Sequence, residues 1–132
     1  MPVYSSVSHG NVDRKGEPEK VLLSSMLSVR NVDLNHSLTI TSVRYYDTVG
    51  RLLREYIKTP LPLPRLASMD FFVENLDDQG GTGANFIVEW RAAQPINQPI
   101  LETVHVYHWG TKGQSFISRG QVVHAGKSAA NP

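Results

Sequence analysis

Asp77 and Asp78, followed by Gly80-Gly81-Thr82-Gly83 and by Asn85, set hard oxygen ligands on a glycine-rich turn, the chemistry a calcium ion takes. Their spacing fits no EF-hand, and an acidic turn whose aspartates bond nearby amides is the plainer reading. The glycines also invite a phosphate reading. Phosphate loops, however, aim backbone amides from the start of a helix, whereas here an apolar-alternating segment follows and no P-loop lysine is present. His105 and His108 look like a metal pair, but on a strand residues three apart point to opposite faces and cannot share one ion. His9, His36 and His124 fall on loops and ends, in no metal-binding spacing. Serine, histidine and aspartate are all available for a hydrolytic triad, yet no G-x-S-x-G elbow or other local signature marks a nucleophile. No catalytic residue, metal ligand set or cofactor is predicted, and a hydrolase is the third choice among functions.

Two further patterns bear on binding. His105, Tyr107 and Trp109 share one parity of their segment, and Val104, Val106 and His108 share the other. If the valines face the core, the aromatic row faces out as a binding surface; the alternative has Tyr107 and Trp109 covering the end of the core. In mid-chain, Arg44, Arg51, Arg54, Lys58 and Arg65 precede Asp70, Glu74, Asp77, Asp78 and Glu89. Opposite charges so divided can pair across neighbouring strands.

The elements that must position these residues are all short. Apolar-alternating segments recur between clusters of glycine, proline, asparagine and aspartate at roughly ten-residue intervals, the rhythm of an all-β domain. Val21 to Asn31 is the clearest, with Val21, Leu23, Leu27 and Val29 on one parity. Pro2 to Ser8 reads as an edge strand and His9 to Lys20 as a loop. Leu38 to Tyr46 switches apolar parity, which predicts a bulge near Thr41 and Ser42. Asp47-Thr48-Val49-Gly50 then reads as a hairpin loop, with Leu52 to Ile57 as the return strand. Thr59 to Pro64, with three prolines, reads as extended chain crossing between sheets. Met69 to Asn75, Asn85 to Arg91, Ile100 to Trp109 and Ser115 to His124 complete the set, with Trp90 expected as the central core aromatic.

The chain has 132 residues, enough for one core, and no cysteine, which excludes disulfides and thiolate sites. Thirteen basic against twelve acidic residues leave a net charge of +1, far from the basic surface that nucleic acid demands. No stretch approaches the ~18 apolar residues of a membrane span. Met1-Pro2-Val3-Tyr4-Ser5 lacks the order of a signal peptide, so the residues as given read as a soluble chain. The expected fold is an antiparallel immunoglobulin-like β-sandwich of about seven or eight strands with no long helix. A single domain over 1–124 would be followed by a small, polar tail over 125–132.

Taken together, Pro2-Val3-Tyr4-Ser5 with His9-Gly10, Leu27-Ser28-Val29-Arg30-Asn31, Ile40-Thr41-Ser42-Val43 running into Tyr45-Tyr46-Asp47 and Gly50, Gly83-Ala84-Asn85-Phe86-Ile87-Val88-Glu89-Trp90, and Ser118-Arg119-Gly120 span nearly the full length. This set resembles a bacterial family catalogued as domain of unknown function 3124. The resemblance implies a stand-alone domain, often exported or lipid-anchored in its relatives, with no assigned activity and no catalytic residues to carry over. The sequence departs from such relatives in showing neither a leader nor a lipid-bearing cysteine. The expectation is a non-catalytic binding module of the periplasm or cell envelope, with another envelope protein as partner and no nucleic acid. The alternative is a small-molecule or calcium-binding domain centred on the Asp77 to Asn85 loop. Candidate binding residues are Asp77, Asp78, Asn85, His105, Tyr107 and Trp109.

Overall fold

The computed structural model describes residues 1–74 and 77–123, and every regular element among them is a strand. In chain order these are β1 (Pro2–Val3), β2 (Ser6–Val12), β3 (Pro18–Leu22), β4 (Ser24–Arg30), β5 (Leu38–Tyr46), β6 (Leu52–Glu55), β7 (Leu61–Leu63), β8 (Ser68–Val73), β9 (Ala84–Arg91), β10 (Ile100–Trp109) and β11 (Lys112–Arg119). One sheet runs β1-β9-β5-β6 with β7 also on β5, a second runs β11-β10-β4-β8, and β2 and β3 form a small third. All pairings are antiparallel. The expected ends at Asn75 and His124, and the tail beyond, lie outside the described residues.

The two larger sheets share one core. Leu27, Val29, Phe71 and Val73 from one meet Leu38, Ile40, Val43, Tyr45 and Phe86 from the other in a single buried cluster. Tyr45 and Phe86 are its central aromatics, both about 1% exposed, with ring centroids 5.0 Å apart. A phenol this deep must bond something. The Tyr45 hydroxyl does so with the Ser5 Oγ at 2.8 Å.

Trp90 is not the core aromatic, contrary to expectation. It continues the inward parity of Ala84, Phe86 and Val88 but is 36% exposed, whereas Ile40 opposite it is fully buried. Alternation places the indole on the inner face; whether the facing sheet reaches that far depends on where β10 begins, which alternation does not report.

The parity switch in β5 is a bulge, as expected: the β5–β9 register slips between Ile40 and Ser42. Glu55 fills the gap it opens, accepting from the Val43 amide at 2.8 Å and from the Ser42 hydroxyl. Burial pushes its carboxyl up, but these donors outweigh it and the pKa lies below the ordinary value. The hairpin after Tyr46 is also as expected, with Gly50 at φ 86° and its amide on the Asp47 carbonyl.

Two expectations are corrected. The stretch His9 to Lys20 is not a loop but most of the β2–β3 hairpin, joined by a turn in which the Asp13 carboxylate accepts from the Lys15 and Glu17 amides. Nearly all of it is exposed on both faces, so it carries no alternation to read. Likewise, Thr59 to Pro64 is not wholly unpaired, since β7 sits on β5 with Pro62 opposite Thr39. An edge position tolerates the missing amide. The chain does then cross, as expected, from β7 in one sheet to β8 in the other.

A buried asparagine secures that crossing. Asn31, 0% exposed, donates from Nδ2 to the carbonyls of His36, Leu63 and Pro64, and its Oδ1 accepts from the Asp33 amide at 2.9 Å. Asp33 in turn accepts from the amides of Asn35, His36 and Asn97. The Asn35 and Asn97 amides above all hold its carboxyl below the usual carboxylate range. The turn after β4, the chain after β7 and the connection before β10 are thereby tied together.

Candidate binding site

The connection from β9 to β10 changes sheets, and β10 pairs with β4 rather than with β9. Among the described residues only β1 covers the outer edge of β9, through Pro2 opposite Asn85 and Val3 opposite Ala84, extended by reciprocal bonds between Met1 and Phe86 at 2.9 Å. Beyond Phe86 the sandwich stays open along this side. A cleft of about 780 Å³ fills the opening, within the range of ligand sites. Its walls are Met1 and Pro2, the β9 stretch from Asn85 to Val88 with Trp90, then Ile96, Gln98, Pro99 and Leu101, and finally Gly120, Gln121, Val122 and Val123.

Close approach sets the far wall. The Gly120 amide bonds the Leu101 carbonyl at 2.8 Å, and a Cβ on Gly120 would stand 2.9 Å from Met1 Cε and 3.1 Å from Leu101 Cβ. The Ser118 hydroxyl donates to the Pro2 carbonyl, pinning the near wall to the β11 side. Among the described residues the side-chain polar groups lining the cleft belong to Asn85, Gln98 and Gln121, and none of the described lining side chains is an acid, base, hydroxyl or imidazole. Such a set of side chains can desolvate an uncharged apolar group and bond a few polar atoms at its rim.

Of the sequence candidates whose side chains are described, only Asn85 reaches this cleft. Asp77 and Asp78 stay in the preceding loop, where Asp77 Oδ1 accepts from the Gln79 amide at 3.3 Å and the Asp78 carbonyl accepts from Gly81. Asn85 is on β9 with Pro2 opposite. Among the described residues no three histidine or carboxylate side chains are grouped to hold a metal ion. The glycine loop is a docked connection: Gly83 donates to Thr48 Oγ1, the Gly80 carbonyl accepts from the Thr48 amide and hydroxyl, and the Gly81 carbonyl accepts from Ser5. Arg44 and Glu89 do pair across β5 and β9, as the charge division suggested.

The exposed aromatic row is corrected. His105 is 0% exposed, next to fully buried Thr103, whereas Val106 is 44% exposed. Tyr107 is half-buried, and the Trp109 side chain lies outside what is described. Both parities of β10 mix apolar and polar residues, so alternation left the choice of face open, and tertiary partners decided it. His105 Nε2 accepts from the Tyr4 amide at 3.0 Å, so the proton is assigned to Nδ1, which faces the Phe116 carbonyl at 3.3 Å. The ring stacks on Phe116 with centroids 4.3 Å apart. On the other parity Val104 joins a cross-strand apolar row with Phe72, Met26 and Ile117, one residue from each strand of the sheet.

Burial depresses the pKa of His105 from its ordinary value, against a smaller opposing effect of the Phe116 carbonyl. Below about pH 6.5 the unfolded chain takes up the proton first, so stability should fall with pH through the window from there down to the depressed value. The expected result is a melting temperature that drops between pH 6.5 and 5 and a flatter profile for His105→Gln, checked by thermal melts across that range. Asp33, Asp47 and Glu55, with lowered carboxyl pKa values, lose their contributions only at lower pH.

The residues missed by sequence reasoning are Met1, Ile96, Leu101, Val122 and Val123. Four of the five lie outside any strand and they come from separate parts of the chain, so no periodicity links them. The chain has no significant match among curated proteins or among solved structures. Residues 1–123 match the family described as "Protein of unknown function (DUF3124)", and with that match, the sandwich and its open side in hand, the chain belongs to this family.

Proposed function

We propose that this protein is a non-catalytic binding module of the bacterial cell envelope, and that it holds an uncharged, largely apolar ligand in the cleft beside β9. The observation that carries this reading is the lining of the roughly 780 Å³ cleft, which among the described residues is apolar apart from Asn85, Gln98 and Gln121 and holds no ionisable side chain. A site meant for acid–base or nucleophilic chemistry needs at least one such group within reach. The envelope setting rests on the resemblance to exported relatives, and localisation of the natural gene product by cell fractionation tests it.

Trp90 reports on the cleft directly, because its indole forms part of the wall. With Trp109→Phe leaving Trp90 as the sole tryptophan, titration with the neutral fluorophore N-phenyl-1-naphthylamine should quench and blue-shift Trp90 emission to saturation. Leu101→Gln should weaken that binding at least tenfold, with its melt run alongside to confirm folding. A linear, non-saturating response would overturn the reading.

A further inference from the structure

We infer that two copies of this chain associate through the outer face of the sheet β11-β10-β4-β8, packed face to face about a two-fold axis parallel to its strands. None of the residues invoked lines the cleft, and the inference does not rest on a ligand there.

The strand register fixes what this face presents. Leu27, Val29, Phe71 and Val73 point into the core, so the alternate residues of β4 and β8 point out. Across the middle of the face runs the apolar row Phe72, Met26, Val104 and Ile117. Its two ends are open, with Phe72 60% and Ile117 55% exposed, and the outward Ile100 and Val106 of β10 are exposed as well. An apolar patch continuous over four strands marks an interaction surface. The adjacent row reads Asp70, Ser28, Glu102 and Arg119, with an acid on edge strand β8 and a base on edge strand β11. Arg119 meets Glu102 only at 3.9 Å, with its side chain 85% exposed. Asp70 has no ion-pair partner among the described residues.

That order of charges selects a second copy as the occupant and sets its orientation. A two-fold parallel to the strands keeps each row level and reverses its direction. Asp70 then faces Arg119 of the second copy, and by symmetry the pair forms twice. Phe72 faces Ile117, Met26 faces Val104, and Glu102 faces Ser28. A two-fold along the rows instead sets Asp70 against Asp70 or, centred on the apolar row, against Glu74, the next outward residue after Phe72. Like charges so opposed disfavour that packing. The first arrangement gives an apolar centre with charge pairs at its rim, as specific interfaces have. Four strands and three rows make a face about 20 Å on a side, so the joint buried area falls below about 1,200 Å², in the weak and reversible class.

Sedimentation velocity of the full chain at low salt tests this. Between about 1 μM and about 300 μM the sedimentation coefficient should rise from the monomer value toward that of a dimer, as a weak interface requires. Asp70→Arg alone and Arg119→Asp alone should each weaken dimerisation at least tenfold, because each sets like charges face to face twice. An equimolar mixture of the two variants should dimerise again, since both contacts then join opposite charges; melts of each variant confirm folding. A chain that stays monomeric at about 300 μM overturns the inference and leaves the face to a different protein. A dimer indifferent to both reversals overturns it too, as does a mixture that stays dissociated.

Discussion

Asn31→Ala is expected to lower stability by about 4 kcal/mol, because one truncation strands several buried groups that each cost about 1–3 kcal/mol when unpaired. The Asp33 amide loses its acceptor and the carbonyls of Leu63 and His36 lose the Asn31 donor, while the Pro64 carbonyl keeps the Ala67 amide; Asn31 itself has no solvent access. Urea denaturation is the measurement. With a slope of about 2 kcal/mol per molar for a domain of this size, the midpoint should fall by roughly 2 M at an unchanged slope. A shift below about 0.5 M would mean that water replaces the amide and that the network is ornamental. The loss should be felt on both sheets, since Asn31 directly follows β4, Leu63 ends β7 and, through Asp33, Asn97 is held in the connection leading to β10.

Gly80→Ala is the second large effect, expected at about 3 kcal/mol from overpacking alone. A Cβ there would collide with the Tyr45 hydroxyl and stand 2.8 Å from both Ser5 Oγ and Tyr45 Cζ. Tyr45 cannot swing aside, because its ring is about 1% exposed and packs against Phe86 and Tyr56. Nor can the loop retreat cheaply, since the Gly80 carbonyl holds Thr48 and Gly81 holds Ser5. Tyr45→Phe by itself should cost about 1 kcal/mol, the worth of the lost bond to Ser5. The nearest clashing atom is then gone, so the double variant should be more stable than the sum of the two losses by about 1 kcal/mol. Strict additivity would show that Gly80 is needed for some reason other than this contact.

These two positions were unequally legible. Asn31 stood in the sequence as the last residue of the clearest alternating segment, next to the chain reversal after β4, but its three carbonyl partners come from residues 36, 63 and 64. Turn chemistry is local and can be read from neighbours. The partners of a buried side chain are not local. Gly80 was visible as part of a glycine-rich connection, and the specific reason for it, a tyrosine hydroxyl contributed by β5, was not.

The bulge in β5, the hairpin at Gly50, the absence of helix among the described residues and the core side of β4 follow from parity, turn residues and β-branching. Each is decided by forces within a few residues of the position concerned, so the chain carries it before any long-range contact forms. The face chosen by β10, the half-exposed place of Trp90 and the cleft beside β9 were decided by tertiary packing. They depend on which strand ends up opposite which, and on a crossing that puts β10 beside β4 and leaves β9 uncovered. Alternation states that a strand has two faces; only the layer packed against it says which is dry and how far along the strand that layer extends.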